Sequence, residues 1–276
     1  MLIDGNTKVI GFFGDSYRKS KLYAVYNSLF PALKLNYIFV PFAVTDLSTA
    51  VLGARALGIS AFGVTTPFKE RMLEHIDEMS SEANKIGAVN VVVNRDGVLF
   101  GDNTDGIGAT SALREKTSIS DKKICLLGAG GAARSIAFNL EKEGGRVSII
   151  NIDDDIALEL ANHVGGNAVA WRFENKNEAL VEADIIINAT TVGMAGGSSI
   201  GESLVPKKLL KVGMVVMDIV PTPRETVLLK DALSVGCEVV YGDRMLIWQA
   251  FHKFRIYTGA EADVSVMESA ISAFKN

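Results

Sequence analysis

Two stretches of this 276-residue sequence hold residue types that chemistry could use. The first is "GAGGAA", where Gly128, Gly130 and Ala133 fit a G-x-G-x-x-[GA] spacing. It follows the apolar run "KICLL" and leads into Ala133, Ile136, Ala137 and Leu140 at helical spacing, so the turn joins a strand to a helix. Gly128 permits a tight turn, Gly130 lets backbone approach a pyrophosphate, and Ala133 allows close helix–strand packing. The helix start offers free N–H groups to an anion. In this βαβ setting a dinucleotide site is a better reading than a turn that only packs a helix. The second stretch is "GVTTPFKE". Read alone, Lys69 is either a solvated charge behind Pro67 or an amine set at the mouth of a cleft, and the residues by themselves leave both open.

The strand after the glycine turn ends in "SIINIDDD", which puts Asn151 and Asp153 where an adenosine ribose would lie. A carboxylate there accepts hydrogen bonds from ribose hydroxyls and repels a 2′-phosphate. No arginine follows directly, which favours NAD over NADP. Three successive aspartates also suit an exposed helix N-terminus.

The elements that must position these residues alternate strand and helix. "KVIGFF", "NYIFVPF" and "SAFGVT" read as strands. Leu22, Val25, Tyr26, Leu29, Phe30 and Leu33 mark one helix, and "DLSTAVLGARALG" behind Asp46 marks another. Met72, Leu73, Ile76 and Met79 predict a helix after Pro67, and "AVNVVVN" with "GVLFG" a hairpin around "RDG". Further strands follow at "ADIIINAT", "GMVVMDIV" and "CEVVYG", and two helices from Met245 onward. The pattern is α/β, with mostly parallel sheets covered on both faces.

Composition narrows the function classes. Nearly half the residues are hydrophobic, enough for substantial cores, and a net charge of −4 leaves no nucleic-acid footprint. The mixed-sign run "REKTSISDKK" reads as a solvated segment between domains. Two cysteines and three scattered histidines show no ligand spacing, so neither a metal site nor a disulfide framework is expected. The N-terminal residues lack a signal-peptide pattern and no apolar run reaches membrane-spanning length, so a cytoplasmic protein is expected.

Six segments, "VTTPFKE" among them, align in order with one family. "VTTPFKE" resembles the Val-Thr-x-Pro-x-Lys motif of the shikimate dehydrogenases, "IGAVNVVV" their Gly-Ala-Val-Asn segment, and "GDNTDGIG" their Asn-Thr-Asp-Gly-x-Gly motif. "NATTVGM", "DIVPTPRET" and "GDRMLIWQ" resemble later segments, so the likeness runs from about Gly14 to Gly259. It implies an N-terminal α/β substrate domain (1–106, completed by 245–276), a Rossmann-like dinucleotide-binding domain (107–244), and a cleft between them. It also implies NAD- or NADP-dependent interconversion of 3-dehydroshikimate and shikimate, or of a close cyclic polyol.

By position, Lys69 and Asp105 match the family's catalytic pair. Ser20, Thr65, Asn90, Asp105 and Gln249 match substrate contacts. Gly128, Ala129, Gly130, Gly131, Ala132, Asn151, Asp153, Thr190, Gly242 and Met245 match cofactor contacts. The chemistry suits these types: a desolvated amine can take a hydroxyl proton as hydride leaves, a carboxylate can hold it, and the two then titrate as a coupled pair. Hydroxyl and amide groups suit a polyhydroxylated ring. A small-molecule substrate, no nucleic acid or membrane, and a monomer or homodimer are expected.

The departures lie on the substrate side. The family's His-Ser-x-Ser-Pro stretch is Lys19-Ser20-Lys21-Leu22-Tyr23 here, and the tyrosine of its later motif is Pro221. Leucine for serine removes a hydrogen bond to a carboxylate, about 1.5–3 kcal/mol for a charged partner, which Arg18, Lys19 or Lys21 could offset by charge. Quinate or aminoshikimate dehydrogenase is therefore an alternative, and a non-catalytic NAD(P)-binding sensor another. Retention of Lys69 and Asp105 argues against the sensor.

Overall fold

The computed structural model describes residues 3–16 and 21–273. The chain forms two compact units, Met1–Thr104 with Gln249–Asn276, and Asp105–Trp248. In the first, β1 (Lys8–Gly14), α1 (Lys21–Ala32), β2 (Tyr37–Ala43), α2 (Leu47–Ala56) and β3 (Ala61–Val64) follow in turn. After a 3-10 turn at Arg71–His75 come β4 (Glu78–Met79), α3 (Ser81–Ile86), β5 (Val91–Arg95) and β6 (Val98–Asp102). The sheet order is β2-β1-β3-β5-β6-β4. It is mostly parallel, as the alternation of strands and helices implies; β5 alone runs the other way, antiparallel to both β3 and β6.

Period-2 alternation divides these strands between two cores. Ile10 and Ala61 face an aromatic cluster with Tyr26, Phe30, Phe39, Phe254 and Tyr257, while Phe13, Phe62 and Val64 face Leu47, Val51 and Met72. Burying each such side chain stabilises by about 1.5–3 kcal/mol. The Tyr26 hydroxyl donates to the Ala250 carbonyl at 2.8 Å, fastening the first helix to the one that spans Gly242–Thr258. Asp46 caps α2 by accepting from the Thr49 N–H at 2.7 Å, as its place before the apolar run predicts.

The expected helix over Met72 to Met79 does not form. The chain makes only the 3-10 turn and then extends, because Asp77 is captured by the sheet. Its N–H donates to the Leu99 carbonyl at 3.0 Å, its carboxylate accepts from the Leu99 N–H at 2.7 Å, and Arg55 pairs with it. Glu78 and Met79 then pair with Phe100 and Gly101. Strand pairing outweighs a helical pattern this short.

The second unit holds α4 (Asp105–Arg114), β7 (Lys123–Leu127), α5 (Gly131–Lys142), β8 (Arg146–Ile150), α6 (Asp154–Val164) and β9 (Val169–Trp171). Next come α7 (Lys176–Glu182), β10 (Ile185–Asn188), β11 (Val215–Asp218), α8 (Val227–Val235) and β12 (Glu238–Tyr241). Its parallel sheet runs β12-β11-β10-β7-β8-β9. Strand order reverses between β7 and β10, and ligands of open α/β sheets bind beyond the strand ends at such a reversal. The helix α9 (Gly242–Thr258) crosses the division between units, and α10 (Val264–Ala273) follows. Both faces of the sheet are covered: Ile185 and Ile187 join the core under α5, and Ile186 joins the one under α8.

Gly106 marks the tightest approach, on α4 against α5. Its N–H donates to the Ser135 hydroxyl at 2.7 Å, and a Cβ there would overlap the Asn139 amide and the Ser135 carbonyl. Gly106→Ala should cost about 1–3 kcal/mol by overpacking, read as a lower urea midpoint. A midpoint equal to the parent's would show that the helix pair can spread.

Candidate active site

In the first unit the candidate residues gather where β3 ends. The Thr65 N–H donates to the Phe13 carbonyl at 3.1 Å, and the Thr65 carbonyl accepts from Phe68 at 2.9 Å. The turn between them contains the cis Thr66–Pro67 bond. Lys69 is half-buried, and its carbonyl accepts from the Val89 N–H at 2.9 Å. The next residue, Asn90, has no exposed surface. Its carbonyl accepts from Val64 at 2.9 Å and its N–H donates to Asp102 at 3.0 Å. Its side-chain oxygen accepts from the Thr104 N–H at 2.9 Å and the Thr104 hydroxyl at 3.2 Å. Val89 and Asn90 therefore join the Lys69 backbone and Thr104 in one hydrogen-bonded knot, with Thr65 next to Val64 at its edge. Asn103 tightens it by donating to the Ala88 carbonyl at 3.0 Å.

Asp105 is the residue after Thr104 and the first of α4, so its Cα lies ~3.8 Å from that of Thr104. Gln249 is half-buried on α9. Ser20 lies outside the described residues, as do Arg18 and Lys19. Leu22, at the position of the family's second serine, packs against the aromatic cluster of the first unit.

In the second unit the glycine turn closes β7. Gly128 has φ of 105°, a conformation that favours glycine, and its N–H donates to the Ile150 carbonyl at 2.7 Å. A Cβ at Gly128 would stand 3.0 Å from the Ala189 carbonyl oxygen and 3.0 Å from the Thr190 methyl. Gly130 is the N-cap of α5 and Gly131 its first residue; a Cβ at either would meet nothing within 4 Å. Ala129 is buried beneath them, Ala132 is half-buried, and Ala133 is fully buried against the sheet. A clear approach above a helix N-terminus, without side chains in the way, fits a pyrophosphate.

Asp153 caps α6, accepting from Asp155 at 3.1 Å and Ile156 at 3.3 Å, and its backbone carbonyl accepts from the Asn151 side chain at 3.2 Å. It is nonetheless exposed, on a cavity of about 510 Å³ shared with Ile152, Asp154, Asp155, Trp171 and Arg172. Gly242 opens α9, where a Cβ would come within 2.6 Å of the Val220 carbonyl oxygen. Met245 is 4% exposed and belongs to the core with Met217 and Val240.

Sequence reasoning passed over Asn188, Asp218 and Thr226, all buried. The Asp218 carboxylate accepts from the Asn188 amide at 3.0 Å, the Val220 N–H at 3.0 Å and the Thr226 hydroxyl at 2.6 Å. The Asn188 oxygen accepts from the Thr190 hydroxyl at 2.7 Å. Burial raises the Asp218 carboxyl above its ordinary range, against the pull of these hydrogen bonds. The available signal was a polar residue ending each of two otherwise apolar strand runs, "IIIN" and "VVMD".

Other chemistry has less support. Among the described residues no group of three or more His, Cys, Asp or Glu could hold a metal. Cys125 is buried, which pushes its thiol up to about 12, far from the thiolate a nucleophile needs. No described helix is long and apolar enough to cross a membrane.

Comparison with known proteins identifies the family. Residues 12–92 match the family model of the shikimate dehydrogenase substrate binding domain, and residues 110–225 that of shikimate / quinate 5-dehydrogenase. The shikimate dehydrogenase (NADP(+)) of Pyrococcus furiosus is 42% identical, covering 99% of this chain and 98% of that one. Shikimate 5-dehydrogenase from Listeria monocytogenes, solved with shikimate and NAD, aligns with a TM-score of 0.90 and 35% identity, covering 97% of each chain. Quinate dehydrogenase from Corynebacterium glutamicum, solved with NAD, aligns at 0.88 with 29% identity over 97% of this chain and 99% of that one. With two family models matched in order and relatives alike from end to end, the chain belongs to the shikimate dehydrogenase family and is an oxidoreductase of that type.

Proposed function

We propose that the chain interconverts 3-dehydroshikimate and shikimate with a nicotinamide dinucleotide, Lys69 moving the proton and Asp105 holding Lys69. The observation that carries the pairing is the knot around Asn90. It ties Lys69 to Val89 and Asn90 to Thr104, leaving Asp105 one peptide bond from a fixed point. When bound, the nicotinamide supplies the hydride acceptor or donor. In the oxidising direction the Lys69 amine accepts the ring hydroxyl's proton as the carbon–hydrogen bond breaks, and in reduction it returns that proton to the carbonyl oxygen. The Asp105 carboxylate orients the amine. Thr65, Asn90, Gln249 and Ser20 supply hydrogen bonds to the ring substituents. The N-terminus of α5 receives the pyrophosphate, with Gly128 to Ala132, Thr190, Gly242 and Met245 around the dinucleotide.

NAD is the preferred cofactor on this reading. The exposed Asp153 carboxylate, beside Asp154 and Asp155, meets the adenosine ribose; Arg172 on the same cavity is 3.6 Å from Glu174, which offsets its charge. The relatives named for NADP point the other way. A second reading, quinate, is favoured by Leu22, which is packed among aromatic rings where the family has a hydroxyl. Pro221, exposed in place of a tyrosine, points the same way.

Four outcomes test this. Lys69→Ala should lower kcat with shikimate by about 10²–10⁴-fold while dinucleotide affinity by titration calorimetry holds; undiminished turnover removes Lys69 from the mechanism. Initial rates should give kcat/KM for NAD at least about tenfold above NADP, as like-charge repulsion requires. Asp153→Asn, which keeps the helix cap, should narrow that gap, and an unchanged ratio would place discrimination elsewhere. Initial rates should also favour shikimate over quinate, and a reversed order would establish the second reading.

A further inference from the structure

We propose that Asp218 is a positioning residue for the dinucleotide: its buried carboxylate holds the two loops beyond β10 and β11 in one arrangement around the glycine turn. This rests on reading the 128–133 turn as the dinucleotide site.

Asp218 is the last residue of β11 and is 1% exposed. Its two oxygens accept from three donors, Asn188 at the end of β10 and Val220 and Thr226 on the connection from β11 to α8, and none of those donors carries a charge. A buried carboxylate without a cation among its donors is costly to desolvate. Capping α8 does not require one, since the Thr226 hydroxyl itself accepts from the Leu229 N–H at 3.4 Å. The carboxylate supplies simultaneous reach.

One arm runs through Asn188 to the loop after β10. The Asn188 amide donates to Asp218 and to the Val192 carbonyl at 3.2 Å, while its oxygen accepts from the Thr190 N–H at 3.1 Å and the Thr190 hydroxyl. Thr190 is thereby set with its methyl against Gly128. The other arm holds Val220, whose carbonyl lies under Gly242 at the start of α9. The two loops are also joined directly, the Ala195 N–H donating to the Thr222 carbonyl at 2.8 Å. One carboxylate thus sets both walls at the strand-order reversal where the dinucleotide binds.

The pattern of donors makes a conservative variant informative. In Asp218→Asn the remaining oxygen can still accept from Asn188 and Val220, and the new amide can donate to Thr226 once that hydroxyl turns to accept. The geometry survives the loss of charge.

The test is dinucleotide Kd by titration calorimetry at a temperature where each variant is folded, alongside melting midpoints. Asp218→Ala should weaken binding by about tenfold, one hydrogen-bonded arm's worth. Asp218→Asn should stay within about threefold of the parent. Leu228→Ala, a core truncation in α8 outside the network, should lower the midpoint with no change in Kd. Where Asp218→Ala does not fold, Asn188→Ala removes only the arm reaching Thr190 and is held to the same criterion. Unchanged Kd in the alanine variant, an asparagine variant as weak as it, or equal weakening by Leu228→Ala overturns the proposal. A parent chain that binds neither NAD nor NADP instead overturns the dinucleotide reading beneath it.

Discussion

Asn90 is buried in full, and its side-chain oxygen accepts from both the N–H and the hydroxyl of Thr104. A buried amide is tolerated only when its polar atoms are satisfied, and leaving one unpaired costs about 1–3 kcal/mol. Asn90 therefore fixes where the chain stands as it leaves the first unit, at Thr104, relative to the turn that carries Lys69. The backbone repeats the constraint: Val89 donates to the Lys69 carbonyl and Asn90 to the Asp102 carbonyl. An amine far from an acid in sequence can work with it only if such a knot shortens the path. The amide that sequence reasoning assigns to substrate has a structural role as a pivot.

The second unit applies a similar device to a different end. Parallel strands buried on both faces put their polar residues at their carboxyl ends, where Asn188 and Asp218 appear. Glycines at 128, 130 and 131 clear the approach to α5, and the polar network sets the loops around that clearing. Backbone shape governs the glycine turn, while side-chain hydrogen bonds govern the loops beyond β10 and β11.

Much of this was legible in the sequence. The glycine turn was, because its spacing, strand and helix all fall within thirty residues and the physics is local. Asp46 as a cap was legible for the same reason. The helix expected over Met72 to Met79 failed because Leu99, distant in the chain, captured Asp77 into the sheet, a competitor no local window contains. The Asn90–Thr104 bond and the Asp218 network were illegible on the same ground, joining residues whose adjacency exists only once the strands pair. Asp153 was only half legible: the residue type was visible, but that one carboxylate both caps α6 and faces a cavity needed the fold.

Whether Lys69 and Asp105 act as a unit, as proposed, is tested most directly by a double-mutant cycle on kcat/KM. Lys69→Met and Asp105→Asn would be compared singly and together with shikimate and the preferred dinucleotide. Residues that share one proton-transfer task are strongly non-additive, so the double variant should be within about threefold of the slower single variant. A double variant slowed by the full product of the two single effects would mean that the amine and the acid act independently, and would contradict the account.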